Sequence, residues 1–412
     1  MKKAKKNILL LSPFFKPENF KVNDLVNYLV ESNKYSVTVL CPIPNYPKGN
    51  YYKGYGVFQK RFEKNKNLTI IRILVWPRKN GSKINLFLNY LSFIVFSILP
   101  AIILSFKKFD LIIVNQVSPI TIAIPGIIIK KIKKIPMIMW VKDLWPESVK
   151  DGGNLKSNFL PNLLLPMVKF IYKNCDKILM SSRSFIDSIK EKTDNKDIVY
   201  MPQWGETVFT ENESTTFKNS EIEKITDFKI MFAGNIGIAQ DFDTIINAIN
   251  KVKNYPIHLV VLGEGRGKKD AIIKVKKMGL ESKISFLGFF PLETMPYFFN
   301  QADALLISLK KSDIFAKTVP AKTQSYMALG KPILTNADGE VSNIIKESKS
   351  GLIANSGNYA LLAQNMLKLS QLSKEELKMM ANNGKQYYEN NFNREKILTN
   401  FEKSIDSIMN NK

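Results

Sequence analysis

Lys229-Ile230-Met231-Phe232-Ala233-Gly234-Asn235-Ile236-Gly237 is a short apolar run that ends on a glycine turn. The pattern returns at Ile257-His258-Leu259-Val260-Val261-Leu262-Gly263-Glu264-Gly265-Arg266. A continuous apolar run of this length bounded by glycine predicts a strand buried on both faces. Ile284-Ser285-Phe286-Leu287, Ala304-Leu305-Leu306-Ile307 and Pro332-Ile333-Leu334 continue the series, with helix-like segments at 241–252 and 295–302 between strands. The order βαβα predicts a parallel sheet. Ligands bind such sheets outside the carboxyl ends of the strands, where both glycine turns fall. A lone glycine turn often only reverses the chain. Two at successive strand ends, the second followed by Arg266, Lys268 and Lys269, point to a diphosphate.

The first half repeats this grammar. Asn7-Ile8-Leu9-Leu10-Leu11-Ser12, Ser36-Val37-Thr38-Val39-Leu40, Leu111-Ile112-Ile113-Val114, Pro136-Met137-Ile138-Met139-Trp140 and Lys177-Ile178-Leu179-Met180 are apolar strands separated by helical segments. The 412 residues therefore predict an α/β chain of two Rossmann-like, doubly wound domains facing a central cleft. Expected boundaries are an N-terminal domain over 1–202, a linker over 203–226, polar at 211–216, and a C-terminal domain over 227–390. A helix over 391–412 is expected to pack back on the first domain.

Net charge is +24, which favours anionic lipid, phosphorylated substrates or polyanions. Lysines at 2–6, 107–108 and 130–134 carry much of it. No helix-turn-helix, RRM, KH or zinc pattern accompanies them, and no stacking aromatics interleave, so a nucleic-acid partner is not expected. Part of the lysine load also fits simple coding bias. Cys41 and Cys175 lie too far apart in sequence to make a disulfide framework or a metal quartet, which suits a reducing compartment.

Lysines precede Ile8, but the apolar run that follows is short and ends in Ser12-Pro13, so it reads as a first strand and not a signal peptide. Residues 84–106 hold no charge and reach the length needed to cross a bilayer. They also hold Asn85, Asn89, Ser92, Ser97, Pro100 and Ser105, and they sit between two strands of one sheet. Three readings stay open: a helix packed on the domain with one face toward lipid, an ordinary buried helix, or a span.

His258 is the only histidine and falls inside a strand, so it reads as structural and a triad needing a free imidazole is disfavoured. Trp140-Val141-Lys142-Asp143-Leu144-Trp145-Pro146-Glu147 follows a buried strand, and its acids and indoles suit a sugar site. Asp143 also suits a helix cap, with Pro146 in the first turn. The loop 12–19 brings Glu18 and Asn19 to a comparable place, again as site residues or as caps.

Lys16-Pro17-Glu18-Asn19, Pro44-Asn45-Tyr46-Pro47-Lys48-Gly49, Asp143-Leu144-Trp145-Pro146-Glu147-Ser148, Ala233-Gly234-Asn235-Ile236-Gly237 with Ala239-Gln240, and Pro320-Ala321-Lys322 with Gln324-Ser325-Tyr326-Met327-Ala328 stand in matching order along nearly the whole chain. In these the sequence resembles the GT-B glycosyltransferases of family 4. Most of all it resembles the N-acetyl-L-fucosamine transferase type of O-antigen and capsule assembly. The resemblance implies a retaining transferase that needs no metal and no cofactor beyond a UDP-sugar co-substrate. The donor would bind the C-terminal domain, and a lipid-linked saccharide acceptor the N-terminal one.

Residue by residue, Gly234, Asn235 and Gly237, with Gly263, Gly265 and Arg266, match the family's donor loops. The family's two glutamates, eight residues apart, are replaced by Lys317 and Ser325, and its basic diphosphate pair by Asn235 and Gln240. Lys322 is the substitute cation, and Gln324 or Glu340 the substitute sugar or ribose contacts. Asp143 and Glu18 would orient hydroxyls, while the amides of the 234–237 loop stabilise the leaving diphosphate. Such an enzyme is expected in the cytoplasm, peripheral to the inner membrane on an anionic surface. A GT-B nucleotide-sugar epimerase or a non-catalytic, membrane-associated nucleotide-binding protein shares the architecture. A periplasmic-type binding protein would need an export signal.

Overall fold

A computed structural model describes residues 4–152, 159–209 and 217–410. The chain forms two compact units, Met1–Pro202 with Leu398–Lys412, and Gln203–Ile397. The polar segment expected at 211–216 lies outside the described residues.

In the first unit the strands are β1 (Lys6–Leu11), β2 (Tyr35–Pro42), β3 (Phe62–Asn65), β4 (Leu68–Ile73), β5 (Leu111–Gln116), β6 (Met137–Val141), β7 (Lys177–Met180) and β8 (Ile198–Tyr200). They form one sheet in the order β3-β4-β2-β1-β5-β6-β7-β8. Only β3 runs antiparallel, against β4. The central strands β1, β5 and β6 bury nearly every side chain because helices cover both faces, which is why they read as unbroken apolar runs. Winding reverses at β1, which has β2 on one side and β5 on the other. The loops after β1, β5 and β6 therefore gather at one edge of the sheet, at a topological switch point.

The end of the chain belongs to this unit. Leu398, Phe401 and Ile405 on the last helix are buried, and the Phe401 ring lies 6.5 Å from that of Trp140. Glu402 accepts hydrogen bonds from Lys34 at 2.8 Å and Tyr35 at 3.1 Å.

The helix Lys83–Ser105 joins β4 to β5 and is not an ordinary buried helix. Phe93, Ala101 and Leu104 pack inward, while Ile84 (72 % exposed), Phe87 (63 %) and Leu99 (65 %) face out. Ser82 caps it by accepting from the Asn85 amide.

The second unit is wholly parallel. Its strands β9 (Phe228–Ala233), β10 (Ile257–Leu262), β11 (Ile284–Gly288), β12 (Ala304–Ser308), β13 (Ile333–Asn336) and β14 (Gly351–Ala354) lie in the order β11-β10-β9-β12-β13-β14. Here the winding reverses at β9, flanked by β10 and β12. Ile230 and Phe232 enter one apolar core and Met231 the other, so successive side chains of β9 fill both layers.

Candidate functional site

Gly234 follows β9 directly, at the switch point of the second unit. Its φ is +137°, and Gly263, at the end of β10, has φ +131°. A Cβ on Gly263 would stand 1.9 Å from the Gly234 carbonyl oxygen, and one on Gly265 would stand 2.2 Å from that of Ile236. The two turns thus lie backbone against backbone, a spacing only glycine permits. They are laced by Ile236 N–H to Glu264 O at 2.9 Å and Gly267 N–H to Ile236 O at 2.9 Å.

This lacing bears on what the loop can donate. The amides of Gly234 and Ile236 already bond Leu262 and Glu264 carbonyls, and that of Gly237 bonds the Gln240 side chain. The loop provides room for close approach, while positive charge comes from elsewhere.

That charge is Lys322, on the helix Ala321–Leu329. Its ammonium lies 3.8 Å from the centre of the Phe232 ring and 3.1 Å from where a Cβ on Gly234 would be. It is buried and, among the described residues, has no hydrogen-bond partner. Burial pulls its pKa down from 10.5 to about 7. One turn further along the helix, the Tyr326 hydroxyl accepts from the Ala233 amide at 3.0 Å and so fixes Lys322 against the end of β9. An unpartnered amine held beside a glycine turn is prepared for an anion.

The other residues expected here fall differently. Arg266 is exposed on the rim of the second turn, and Asn235 reaches Gln240 at 3.4 Å. Gln324 is buried, and its amide, oriented to donate, bonds the Ala321 carbonyl of its own helix and that of Pro320 just before it. Glu340 is buried at the first turn of the helix Glu340–Ser348. Ser325 donates to the carboxylate of Glu206, so a carboxylate does reach the position where a serine replaces an acid. No sequence spacing could have shown that contact across 119 residues. Lys310 and Lys311 follow β12, are exposed, and bring two cations to the same strand end. The Lys310 amide bonds Ala239 at 2.8 Å. His258 is buried in β10 and shares a 2.8 Å hydrogen bond with Ser285, with burial lowering its pKa.

In the first unit, Asp143 follows β6. Burial raises its carboxyl from 3.8 to about 6, against the hydroxyls of Ser148 and Ser118 and the indole of Trp145, which pull it down. Glu147, four residues on, moves the other way: burial opposes its charge, but Lys192 and Ser188 outweigh it and hold its pKa low. Of two neighbouring acids, Asp143 is the one set to exchange a proton near neutrality. The tryptophans are not the stacking platforms expected. Trp140 is fully buried, with its indole N–H on the Met201 carbonyl at 3.0 Å. Trp145 is 5 % exposed and donates to Ser118 at 2.9 Å. A strand end buried on both faces covers an indole that the sequence places at its mouth.

Glu18 is likewise enclosed. One carboxylate oxygen accepts from the Asn45 and Tyr46 amides at 2.9 and 2.8 Å, and the other from Phe15 at 3.3 Å. It clasps the loop after β1 to the loop after β2 instead of facing an open site. Among the described residues, no three His, Cys, Asp or Glu side chains converge as metal ligands.

Comparisons with known proteins agree with this geometry. Residues 213–387 match the family model described as Glycosyl transferases group 1. The chain is 29 % identical over 228 residues to the Pseudomonas aeruginosa protein named as glycosyltransferase WbjE, covering 52 % of this chain and 54 % of that one, so the match spans about half of the relative. It is 22 % identical over 346 residues to the Escherichia coli (strain K12) protein named as a colanic acid biosynthesis glycosyl transferase, WcaI, covering 80 % and 83 %. Among solved structures, Anabaena HepE in complex with UDP and glucose aligns with TM-score 0.68 at 12 % identity over 98 % of this chain and all of that one. The architecture is that of the GT-B fold, two Rossmann-like units, and the match to the group 1 model falls on the second.

Proposed function

We propose that this chain is a retaining glycosyltransferase. It would take a sugar of the N-acetylamino class from a UDP-sugar held by the second unit. It would pass that sugar to a saccharide on a polyprenyl diphosphate, in the assembly of a cell-surface polysaccharide at the cytoplasmic face of the membrane. The observation that carries the reading is the buried, unpartnered Lys322 ammonium against the Gly234 turn, at the switch point of the second sheet. UDP in the HepE complex supports the choice of nucleotide. The names of the relatives support polysaccharide assembly, and the motif resemblance to the N-acetyl-L-fucosamine transferase type supports the donor class.

In the front-face route, the bond from the sugar's anomeric carbon to the diphosphate breaks while the acceptor oxygen bonds to the same face. The acceptor's proton passes to a diphosphate oxygen. No histidine base is needed, which suits a chain whose one imidazole is buried in a strand. Lys322 neutralises the charge growing on the leaving diphosphate, and the glycine turns let that group come against backbone. Asp143 accepts from an acceptor hydroxyl and holds it in line.

The test is calorimetric titration of UDP and GDP into the full chain, followed by transfer assays with UDP-N-acetylamino sugars and lipid-linked acceptors, with and without EDTA. UDP should bind more tightly than GDP, and transfer should persist in EDTA. Absence of UDP binding overturns the reading, and conversion of the donor without acceptor favours an epimerase.

A further inference from the structure

Arg78, in the first unit, does not figure in the donor chemistry. Its guanidinium lies 5.0 Å from the centre of the Phe14 ring, 5.6 Å from that of Tyr90 and 5.8 Å from that of Tyr46. Nε donates to Asn89 Oδ1 at 3.3 Å, and Asn89 in turn donates to the Trp76 carbonyl at 2.6 Å. Three rings and one amide therefore fix the plane of the group. No carboxylate pairs with it among the described residues. Glu18 is near enough for the guanidinium to lower its pKa, against a larger rise from burial, but its oxygens face three backbone amides. Among the described residues no acceptor bonds the terminal nitrogens of Arg78, so their N–H groups are open to a ligand. A guanidinium pre-organised in this way matches the forked geometry of a phosphate.

What lies beside it narrows the ligand. Asn89 belongs to the helix Lys83–Ser105, so Arg78 sits by the first two turns of the apolar helix. Outward from there, Ile84, Phe87, Leu91, Val95, Ile98 and Ile102 are exposed along its length. Their spacing of three and four residues makes a stripe. At 1.5 Å per residue the helix is roughly 33 Å long. Lys79, its ammonium 4.6 Å from the Trp76 ring centre, and Lys83 add charge at the Arg78 end. Lys107 and Lys108 are exposed at the far end, but the guanidinium held among rings is at this one, and an uncharged apolar track leading away from it is the shape of a receptor for an anionic head on a long hydrocarbon tail.

We propose that Arg78 binds the diphosphate of an isoprenoid-diphosphate-linked acceptor, with the isoprenoid lying along the exposed stripe of Lys83–Ser105. This names the acceptor subsite of the reaction proposed above and rests on that reading for the acceptor's role, but not for the binding itself. The residue fixes where the lipid ends and the saccharide begins, and the saccharide is then presented to the loops after β1, β5 and β6.

Farnesyl diphosphate, farnesol and inorganic diphosphate serve as probes, titrated into the full chain carrying Lys322→Ala so that the donor-side amine contributes nothing. Adding Arg78→Gln should weaken farnesyl diphosphate about tenfold or more while farnesol is unchanged, and Arg78→Lys should recover only part. Equal affinity in Arg78→Gln overturns the proposal. So does inorganic diphosphate binding as tightly as farnesyl diphosphate, which would make this a site for free anions. Sedimentation with phosphatidylglycerol vesicles supplies the third arm. Arg78→Gln should sediment as the parent does, and a parallel loss would assign Arg78 to general attraction to anionic lipid. Failure of the donor reading shows as absent UDP binding with Arg78-dependent binding of farnesyl diphosphate intact, so the two fail separately.

Discussion

The Lys322 ammonium lies 3.1 Å from the point that a Cβ on Gly234 would occupy, so the amine and the glycine turn share one small space. A methyl group there meets the amine and also demands a φ of +137°, which L residues rarely adopt. Gly234→Ala is therefore expected to displace both loop and lysine and to weaken UDP binding at least tenfold, read by calorimetry. Undiminished affinity would put the diphosphate elsewhere. Gly279→Ala serves as a control, since its φ is also positive but a Cβ there meets nothing.

Lys322 should announce its ligand through protons. Its amine has a pKa of about 7, and a bound diphosphate raises it again. At pH 8 UDP binding should take up close to one proton in the parent and almost none in Lys322→Ala, measured by calorimetry in buffers of different ionisation enthalpy. Turnover in that variant should fall about 100-fold or more. Stability has the opposite sign. Because the folded pKa lies below 10.5, the protein without added UDP gains stability as pH rises from about 7 toward 10.5. Lys322→Ala should lack that part of the slope and melt no lower than the parent at pH 7.

Asp143 gives a second pH signature. Its carboxyl titrates near 6 instead of 3.8, so its contribution to stability is complete below 3.8 and lost as pH rises through 6. Asp143→Asn should melt higher than the parent at pH 8 and level with it below pH 4. If ionised Asp143 orients an acceptor hydroxyl, kcat/KM of the parent should drop below pH 6, and the Asn variant should lose both rate and that limb. An unchanged acid limb in Asp143→Asn would remove the residue from the reaction.

Ten of the fourteen strands among the described residues were legible because each is a short apolar run ending near a glycine or polar turn, β9 and β10 being the clearest. The four missed ones lack that mark. β3 is Phe62-Glu63-Lys64-Asn65, mostly exposed on the sheet edge, and pairs with β4 through a turn where Lys66 has positive φ. β8 and β14 are edge strands of three and four residues. Placement was readable where chain order decides it, as for Gly234 directly after β9 and for Lys322 beside it. It was not readable where long-range partners decide exposure. Glu18 is an acid in a promising loop until the Asn45 and Tyr46 amides enclose it. Trp145 reads as a stacking face until Ser118 and Tyr90 cover it.

The exposed helix leads to the last prediction. Lys83–Ser105 is long and apolar enough to cross a bilayer, but its buried side packs on the unit through Phe93, Ala101 and Leu104, so crossing would strip those contacts away. Lying in the interface instead buries Ile84, Phe87 and Leu99 in lipid. Phe159, Leu163 and Phe170 on the helix Phe159–Lys173 are exposed too, with Lys131 5.0 Å from the Phe170 ring centre. Lysines near an anionic surface contribute on the order of 1 kcal/mol each, a term that salt screens, whereas inserted side chains add one that it does not. The full chain should therefore sediment with phosphatidylglycerol vesicles at low salt and be released only partly at high salt. Phe87→Asp with Leu99→Asp removes the unscreened term, because each carboxylate would have to enter lipid, and should make release at high salt complete while leaving UDP binding unchanged. A parent that stays soluble throughout would refute interfacial docking. Protease sites on both sides of sealed vesicles would show that the helix crosses after all.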